Sequence, residues 1–137
     1  MAPLVLITGA TGLIGFRVLL DALNKVYNVH FTACSQKKRR KSFDGAFDVI
    51  LQGVTYVLHV GNPVSVPDFN PVTQLSEPTL KGTANLHASA LKVLEVKRIV
   101  ITLSTGASMP WPPDPPTKFA ASSRVHLQDP HPTKVLQ

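Results

Sequence analysis

The sequence lacks most of the features that mark exported or membrane-bound proteins. Its 137 residues contain a single cysteine, Cys34, so an internal disulfide is excluded. No apolar run is long enough to cross a bilayer, and the N-terminal residues lack the basic region that opens a secretory signal. These absences predict a cytoplasmic protein with no membrane partner, built around one folded domain of modest size.

Metal-ligand patterns and nucleic-acid modules are absent as well. No group of His, Cys and Asp residues has the spacing of a metal site, so we expect no metal. Aromatic residues make up 7% of the chain and do not alternate with basic residues in any recognition module, which predicts no nucleic-acid partner. The hydrophobic fraction of 44% is that of an ordinary globular protein.

The most informative feature that is present lies at the start of the chain. An apolar stretch, residues 4–8, runs into a turn with three glycines and then into a helical pattern. Gly9 permits the tight turn, Gly12 lets the backbone approach a pyrophosphate, and Gly15 allows the helix to pack closely on its strand. This context predicts a nucleotide-binding turn, and a glycine-rich turn without a ligand is the alternative. The predicted turn also includes Thr11, Leu13 and Ile14.

Strand and helix patterns alternate over the first two-thirds of the chain. Apolar residues at helical spacing predict a first helix, whose buried stripe we expect to be Phe16, Leu19, Leu20 and Leu23. The alternation predicts an α/β fold, a reduced Rossmann-type parallel sheet with flanking helices, in the order second, first, third, fourth strand. The predicted strands are residues 4–8, 29–33, 56–60 and 99–103, and the predicted helices are 13–24, a short 44–53 ending at Gly53, and 78–94.

The excess positive charge is concentrated just after the second predicted strand. The net charge is +6, and residues 37–41 are five consecutive lysines and arginines. Such a run is most often a solvated loop. It is also compatible with a nuclear-localisation or nucleic-acid patch. Its position favours a third interpretation, in which Lys37 and Lys38 bind the 2′-phosphate of NADP, so that NADP is slightly favoured over NAD.

Prolines change the character of the last third of the chain. Seven of the 12 prolines lie between residues 110 and 132, a density that excludes long helices and central strands. We therefore predict a nucleotide-binding domain over residues 1–105 and a proline-rich loop or disordered tail over residues 106–137.

Four segments, in this order, resemble the extended short-chain dehydrogenase/reductase family. They are TGATGLIG (8–15), VLHVGNPV (57–64), PTLKGTANL (78–86) and KRIVITLST (97–105). The resemblance is to the branch of dihydroflavonol reductases, cinnamoyl-CoA reductases and fungal ketone/aldehyde reductases. It implies that NAD(P)H reduces a ketone or aldehyde by hydride transfer. It also implies that Val60, Gly61 and Asn85 belong to the cofactor side of the site and that Ser104 hydrogen-bonds the substrate carbonyl.

Two of these residues also have plainer interpretations. Ser104 is either the family's catalytic serine or an ordinary serine at a strand end that satisfies backbone groups. His59 lies within an apolar strand, so we expect a packed histidine rather than a ligand or a base.

The sequence departs from the family pattern at the proton donor. The family uses a tyrosine followed four residues later by a lysine, and neither Tyr27 nor Tyr56 is followed in this way. In addition, a strand that relatives place before Asp44 is missing, and Cys34 stands where relatives carry an arginine for the NADP phosphate.

These departures predict a dinucleotide-binding domain that is incomplete for catalysis. A small carbonyl substrate would be a partner only if a C-terminal half is supplied. The alternatives are a non-catalytic dinucleotide-binding or sensing module and an inactive shortened gene product. Apolar surface left uncovered by the missing elements is expected to favour self-association.

Overall fold

A computed structural model describes residues 2–33, 44–63, 70 and 72–103 of the chain. Almost all of them belong to the first of the two units into which the chain divides, Met1–Thr102. A π-helical turn, Val72–Ser76, leads directly into the second helix. The strands are β1 (Leu4–Thr8), β2 (Asn28–Thr32), β3 (Tyr56–His59) and β4 (Arg98–Ile101), and the helices are α1 (Leu13–Asn24) and α2 (Glu77–Ala90).

The four strands form one parallel sheet in the order β2-β1-β3-β4. The predicted fold class and strand order are therefore confirmed. β1 lies between two neighbours, and its last four residues are buried, as a strand covered on both faces requires. Because the strands are parallel, the carboxyl ends of β1, β3 and β4 lie at the same edge of the sheet. The glycine turn follows β1 at that edge.

The two faces of the sheet carry separate hydrophobic clusters. We call the first the α2 face. There Leu6 of β1 and Val57 of β3 pack with residues of α2 and of the segment before β3. On the opposite side, the α1 face, Val5 and Ile7 pack with residues of the glycine turn and α1. The α2 face also contains Leu51, Val54, Leu86, Ala90 and Val93, and the α1 face also contains Ala10 and Ala22.

The predicted buried stripe of α1 is wrong at three of its four positions. Phe16, Leu20 and Leu23 are 55%, 40% and 53% exposed, and only Leu19 packs partly against the core. The bounds of the helix, by contrast, are those predicted, Leu13–Asn24.

Gly15 determines which side of α1 faces the sheet. A Cβ atom at this position would overlap the carbonyl oxygen of Gly9, so the helix can approach the turn only with Gly15 facing inward. Residues three, four and seven positions after Gly15 then lie on the same side. Those residues, Val18, Leu19 and Ala22, are the ones that pack on the α1 face.

The short helix predicted over residues 44–53 is a series of turns. Some of its hydrogen bonds span three residues, as from Asp48 N to Gly45 O at 3.2 Å, and others span four, as from Leu51 N to Phe47 O at 3.1 Å. Gly45 already has a positive φ of +68° at the start of the segment, a conformation that no right-handed helix contains. Gly53, at +71°, ends the segment as predicted.

The remaining boundaries differ from the predictions by a few residues. α2 begins at Glu77, one residue early, and ends at Ala90, where bonds from Lys92 N to Ser89 O and from Val93 N to Ala90 O tighten the chain into turns. β2 begins and ends one residue early, β3 ends one residue early, and β4 ends two residues early.

Lys92 connects the end of α2 to the turns before β3. Its Nζ lies 3.0 Å from Oδ2 of Asp48. Hydrogen bonds from Ser89 and Lys92 lower the pKa of Asp48 below its ordinary value. An ion pair at the border of the α2 face thus adds to the contacts between its apolar side chains.

Several predictions lie outside the described residues. They include the basic run at 37–41, the region of the missing strand, Cys34, and the tail over residues 106–137. The described residues contain no helix long and apolar enough to span a membrane. The same residues bring together no group of three potential metal ligands.

Candidate functional site

The glycine turn joins β1 to α1 and leaves backbone donors at the helix start. Gly9 has a φ of +74°, and the N–H of Gly12 donates to the carbonyl oxygen of Gly9 at 3.0 Å. Gly12 is the N-cap of α1, with an extended backbone, and the first helical bond runs from Phe16 N to Gly12 O at 2.8 Å. The N–H groups of the intervening residues 13–15 therefore have no partner within the helix.

A Cβ atom added at each of the three glycines of the turn would meet different atoms. A Cβ at Gly9 would lie 2.5 Å from the Cα of Gly61, and a Cβ at Gly15 would overlap the backbone of Gly9. A Cβ at Gly12 would meet only the carbonyl oxygen of Gly9, at 3.4 Å. Gly9 and Gly15 are thus required by packing inside the protein, whereas Gly12 faces open space at the N-terminus of the helix.

Gly61, two residues after the end of β3, packs against the glycine turn at this edge. Its own Cβ would lie 3.0 Å from the nitrogen of Gly9, so the two backbones approach each other from both sides. The N–H of Gly61 donates to Oγ1 of Thr8 at 3.3 Å, and the N–H of Val60 donates to the carbonyl oxygen of Thr8 at 3.2 Å. The end of β3 is therefore fastened to the end of β1 beside the turn.

A polar network joins the carboxyl ends of β1, β3 and β4. Oγ1 of Thr8 lies 2.7 Å from Nδ1 of His59, its partner in the strand register. The carbonyl oxygen of His59 accepts the N–H of Thr102 at 3.1 Å. Asn62 Nδ2 in turn donates to the carbonyl oxygen of Thr102 at 3.3 Å. The three strand ends form a connected edge.

His59 is a packed histidine, as predicted, with only 5% of its surface exposed. Burial lowers its pKa below the ordinary value of 6.5, and the nearby His87 of α2 lowers it further. The imidazole is therefore neutral near pH 7, so its Nδ1 can accept a hydrogen bond.

The structure brings only some of the predicted site residues together. Gly9, Gly12, Gly15, Val60 and Gly61 meet at the carboxyl edge of the sheet. Thr11, Leu13 and Ile14 are exposed on the turn and the first turn of α1. Lys37, Lys38 and Ser104 lie outside the described residues.

Asn85 lies on α2, next to the fully buried Leu86. Its Oδ1 atom is buried and has no hydrogen-bond partner among the described residues. Buried polar atoms are normally paired, so Oδ1 of Asn85 is an exception among the described residues.

The sequence reasoning missed Thr8, Asn62 and Thr102 as members of the edge network. A signal was present for Thr8. Thr8 is a hydroxyl residue at the end of one apolar strand, and His59 ends a second apolar strand. The two strands pair through four residues each. For Asn62 and Thr102 the contacts depend on the path of the chain after β3 and β4, which no local pattern predicts.

Curated proteins similar in sequence are reductases and related enzymes. An NAD-dependent epimerase/dehydratase of Alternaria alternata is 34% identical over 132 residues, which cover 76% of this chain and 37% of that protein. Dihydroflavonol 4-reductase of Solanum lycopersicum is 28% identical, with coverage of 73% and 32%. The chain thus spans less than half the length of these relatives. No family profile matches it.

Solved structures with the same fold include two complexes with nicotinamide dinucleotides. Yeast methylglyoxal/isovaleraldehyde reductase with NADPH superposes with a TM-score of 0.67 and 25% identity, covering 76% of this chain and 38% of that one. A short-chain dehydrogenase/reductase superfamily protein of Agrobacterium tumefaciens with bound NAD gives a TM-score of 0.60 and 25% identity, covering 77% and 34%.

Proposed function

Because this chain belongs to the extended short-chain dehydrogenase/reductase family, we propose that its glycine turn binds the pyrophosphate of NADP or NAD. The observation that carries the proposal is the open space at Gly12 beside the N–H groups of residues 13–15, which have no partner within the helix. Helix N-termini of this kind bind phosphate because their N–H groups and dipole both favour negative charge. The first turn of α1 also contains no acidic residue that would repel a phosphate.

The proposed role is that of the dinucleotide-binding domain of a reductase, incomplete for catalysis on its own. The reaction of the whole enzyme would be reduction of a ketone or aldehyde, with the cofactor supplying the hydride. In this proposal Val60 and Gly61 line the ribose and nicotinamide side of the cofactor, next to the turn that they touch. Asn85 lies beneath the reacting groups in this proposal, which is supported by its buried Oδ1 having no hydrogen-bond partner among the described residues. Ser104, two residues after Thr102, polarises the substrate carbonyl.

A preference for NADP over NAD is part of the proposal. It rests on Lys37 and Lys38, which follow β2 in the sequence and would bind the 2′-phosphate that only NADP carries. Among the similar structures two hold NADPH and another holds NAD, so relatives alone do not decide between the two cofactors.

A second function, dinucleotide binding without turnover, is favoured by the positions of the tyrosines. The sequence has only Tyr27 and Tyr56, and neither is followed four residues later by a lysine. Tyr56 is the first residue of β3 and Tyr27 precedes β2, so both lie at the amino edge of the sheet, away from the glycine turn. Reduction of ketones or aldehydes by the purified chain with NADPH would decide against this second function.

Calorimetric titration of the full chain with NADPH and with NADH tests the binding proposal. We expect Gly12→Val to abolish binding, since the larger side chain fills the space that the pyrophosphate needs. Gly82→Ala on α2 is the control, because a Cβ there meets nothing within 4 Å. The affinity for NADPH should also fall more steeply with salt than that for NADH, because exposed charges are screened within about 10 Å at 0.1 M.

Equal binding by the wild type and Gly12→Val, with both variants folded, would contradict the assignment of the turn. Absence of binding by the wild type would contradict the proposed function as a whole. A salt dependence that is the same for both dinucleotides would remove the role of Lys37 and Lys38 alone.

A further inference from the structure

Two buried polar residues beside the glycine turn have no role in the proposed function so far. Thr8 ends β1 and is 4% exposed, and His59 ends β3 and is 5% exposed. Apolar residues at these positions would bury more readily, because each buried polar group has to find a hydrogen-bond partner. The two side chains find each other, at 2.7 Å between Oγ1 and Nδ1.

Thr8 takes part in two hydrogen bonds beside the turn. The N–H of Gly61 can only donate, so Oγ1 of Thr8 accepts this bond at 3.3 Å. The hydroxyl keeps its hydrogen and a second lone pair, so it bonds Nδ1 of His59 with either neutral tautomer of the ring. Burial and the neighbouring His87, which lower the pKa of His59, favour the neutral form.

This chain of bonds holds Gly61 where it limits the space beside the turn. Gly61 and Gly9 approach so closely that a Cβ on either would come within 3.0 Å of the other's backbone. Two bonds set the distance between the turn and the end of β3: the one that the Thr8 hydroxyl accepts from Gly61 and the one from Val60 N to the carbonyl oxygen of Thr8. If that hydroxyl were absent, the N–H of Gly61 would lose its bond and the loop would have no polar link to β1 at this residue.

The same histidine links the turn to the strand that leads to Ser104. Its carbonyl oxygen accepts the N–H of Thr102 at 3.1 Å and lies 3.4 Å from Oγ1 of Thr102. The backbone of His59 is therefore fixed to β4 while its side chain is fixed to β1. A shift of His59 would alter both sides of the candidate site together.

We infer that Thr8 and His59 are a positioning pair. They hold the backbone of Gly61 against the glycine turn and so set the width of the dinucleotide site. This inference rests on the proposed function, because the width matters only if a dinucleotide binds there. Neither residue is assigned a contact with the cofactor. Each acts through the backbone of Gly61.

The test compares Thr8→Val with Thr8→Ser in the full chain. Valine keeps the shape of threonine but removes the hydroxyl, whereas serine keeps the hydroxyl. We expect Thr8→Val to weaken NADPH or NADH binding about tenfold, the cost of one lost hydrogen bond of about 1.4 kcal/mol. Thr8→Ser should retain affinity to within about twofold, since the hydrogen-bonding group remains. Circular dichroism establishes that each variant is folded under the conditions of the titration.

Nitrogen chemical shifts of His59 give a second readout. We expect them to change in Thr8→Val, which removes the hydroxyl bonded to Nδ1, and to stay near the wild-type values in Thr8→Ser. Unchanged shifts in Thr8→Val, or equal affinities of folded Thr8→Val and wild type, would overturn the positioning role. Failure of the wild type to bind either dinucleotide would instead overturn the proposed function, so the two failures are distinguishable.

Discussion

The two faces of the sheet are built from the same strands but are covered to different degrees. On the α2 face, Leu6 and Val57 are at most 1% exposed beneath α2 and the turns that precede β3. On the α1 face, the helix packs beside a cavity of about 670 Å³. Tyr56, Leu58 and Val100 line this cavity together with Val18 and Ala22 of α1. Strand alternation supplies apolar side chains to both faces, and among the described residues the α2 face is the more completely covered of the two.

The glycine turn explains part of this difference. Because Gly15 must face Gly9, the residues of α1 that are buried against the sheet are the small ones, Gly15 and Ala22. Its larger residues Phe16, Leu20 and Leu23 remain between 40% and 55% exposed. The geometry that leaves the turn open at Gly12 thus also leaves these apolar side chains of α1 without a covering segment in the part of the chain that the structure describes. Self-association through this surface stays a prediction.

The largest expected effect is in the center of the α2 face. Leu86→Ala should lower the free energy of unfolding by about 2–5 kcal/mol, the usual cost of removing a fully buried leucine side chain. Leu86 is 0% exposed, whereas Leu94, the control, is 97% exposed, and Leu94→Ala should change stability by less than about 0.5 kcal/mol. Urea unfolding followed by circular dichroism measures both. Similar losses in the two variants would contradict the closed α2 face.

A second comparison inserts the same large side chain into each face. Val57 is 0% exposed on the α2 face, so Val57→Phe should destabilise the domain by about 1–3 kcal/mol through overpacking. Val100 is 46% exposed and lines the cavity on the α1 face, so Val100→Phe should change stability by no more than about 0.5 kcal/mol. Equal penalties in urea unfolding would show that the α1 face is packed as tightly as the α2 face.

The strand pattern predicted the sheet well, because apolar strands and a glycine-rich turn are local signals. The bounds of β1 and α1 follow from residues 4–24 alone. The side of α1 that faces the sheet could not be predicted from hydrophobic spacing. The close contact between Gly15 and Gly9 outweighs the preference of Phe16 and Leu20 for burial. The sequence also indicated the glycines of the turn but not the Thr8–His59 pair, which exists only once two strands are in register. The assignment of those glycines to a dinucleotide site stays a prediction.

The smallest expected effect is the decrease in the free energy of unfolding that His59 causes at low pH. Burial lowers the pKa of His59, with a further contribution from His87. The unfolded chain then binds a proton at this residue before the folded chain does. Above the ordinary value of 6.5 both states are neutral at His59, so this residue adds no pH dependence. As the pH falls below 6.5, the unfolded state gains protons first and stability decreases, until the folded state is protonated as well.

We therefore expect urea unfolding to show a loss of stability between pH 6.5 and pH 5.5 that is smaller in His59→Gln than in the wild type. For one proton the slope cannot exceed about 1.4 kcal/mol per pH unit. His30→Gln, on an exposed position of β2, is the matched control and should keep the wild-type slope. If His59→Gln retained the full slope while His30→Gln lost it, acid sensitivity would belong to the exposed edge of the sheet. The buried pair beside the glycine turn would then contribute none.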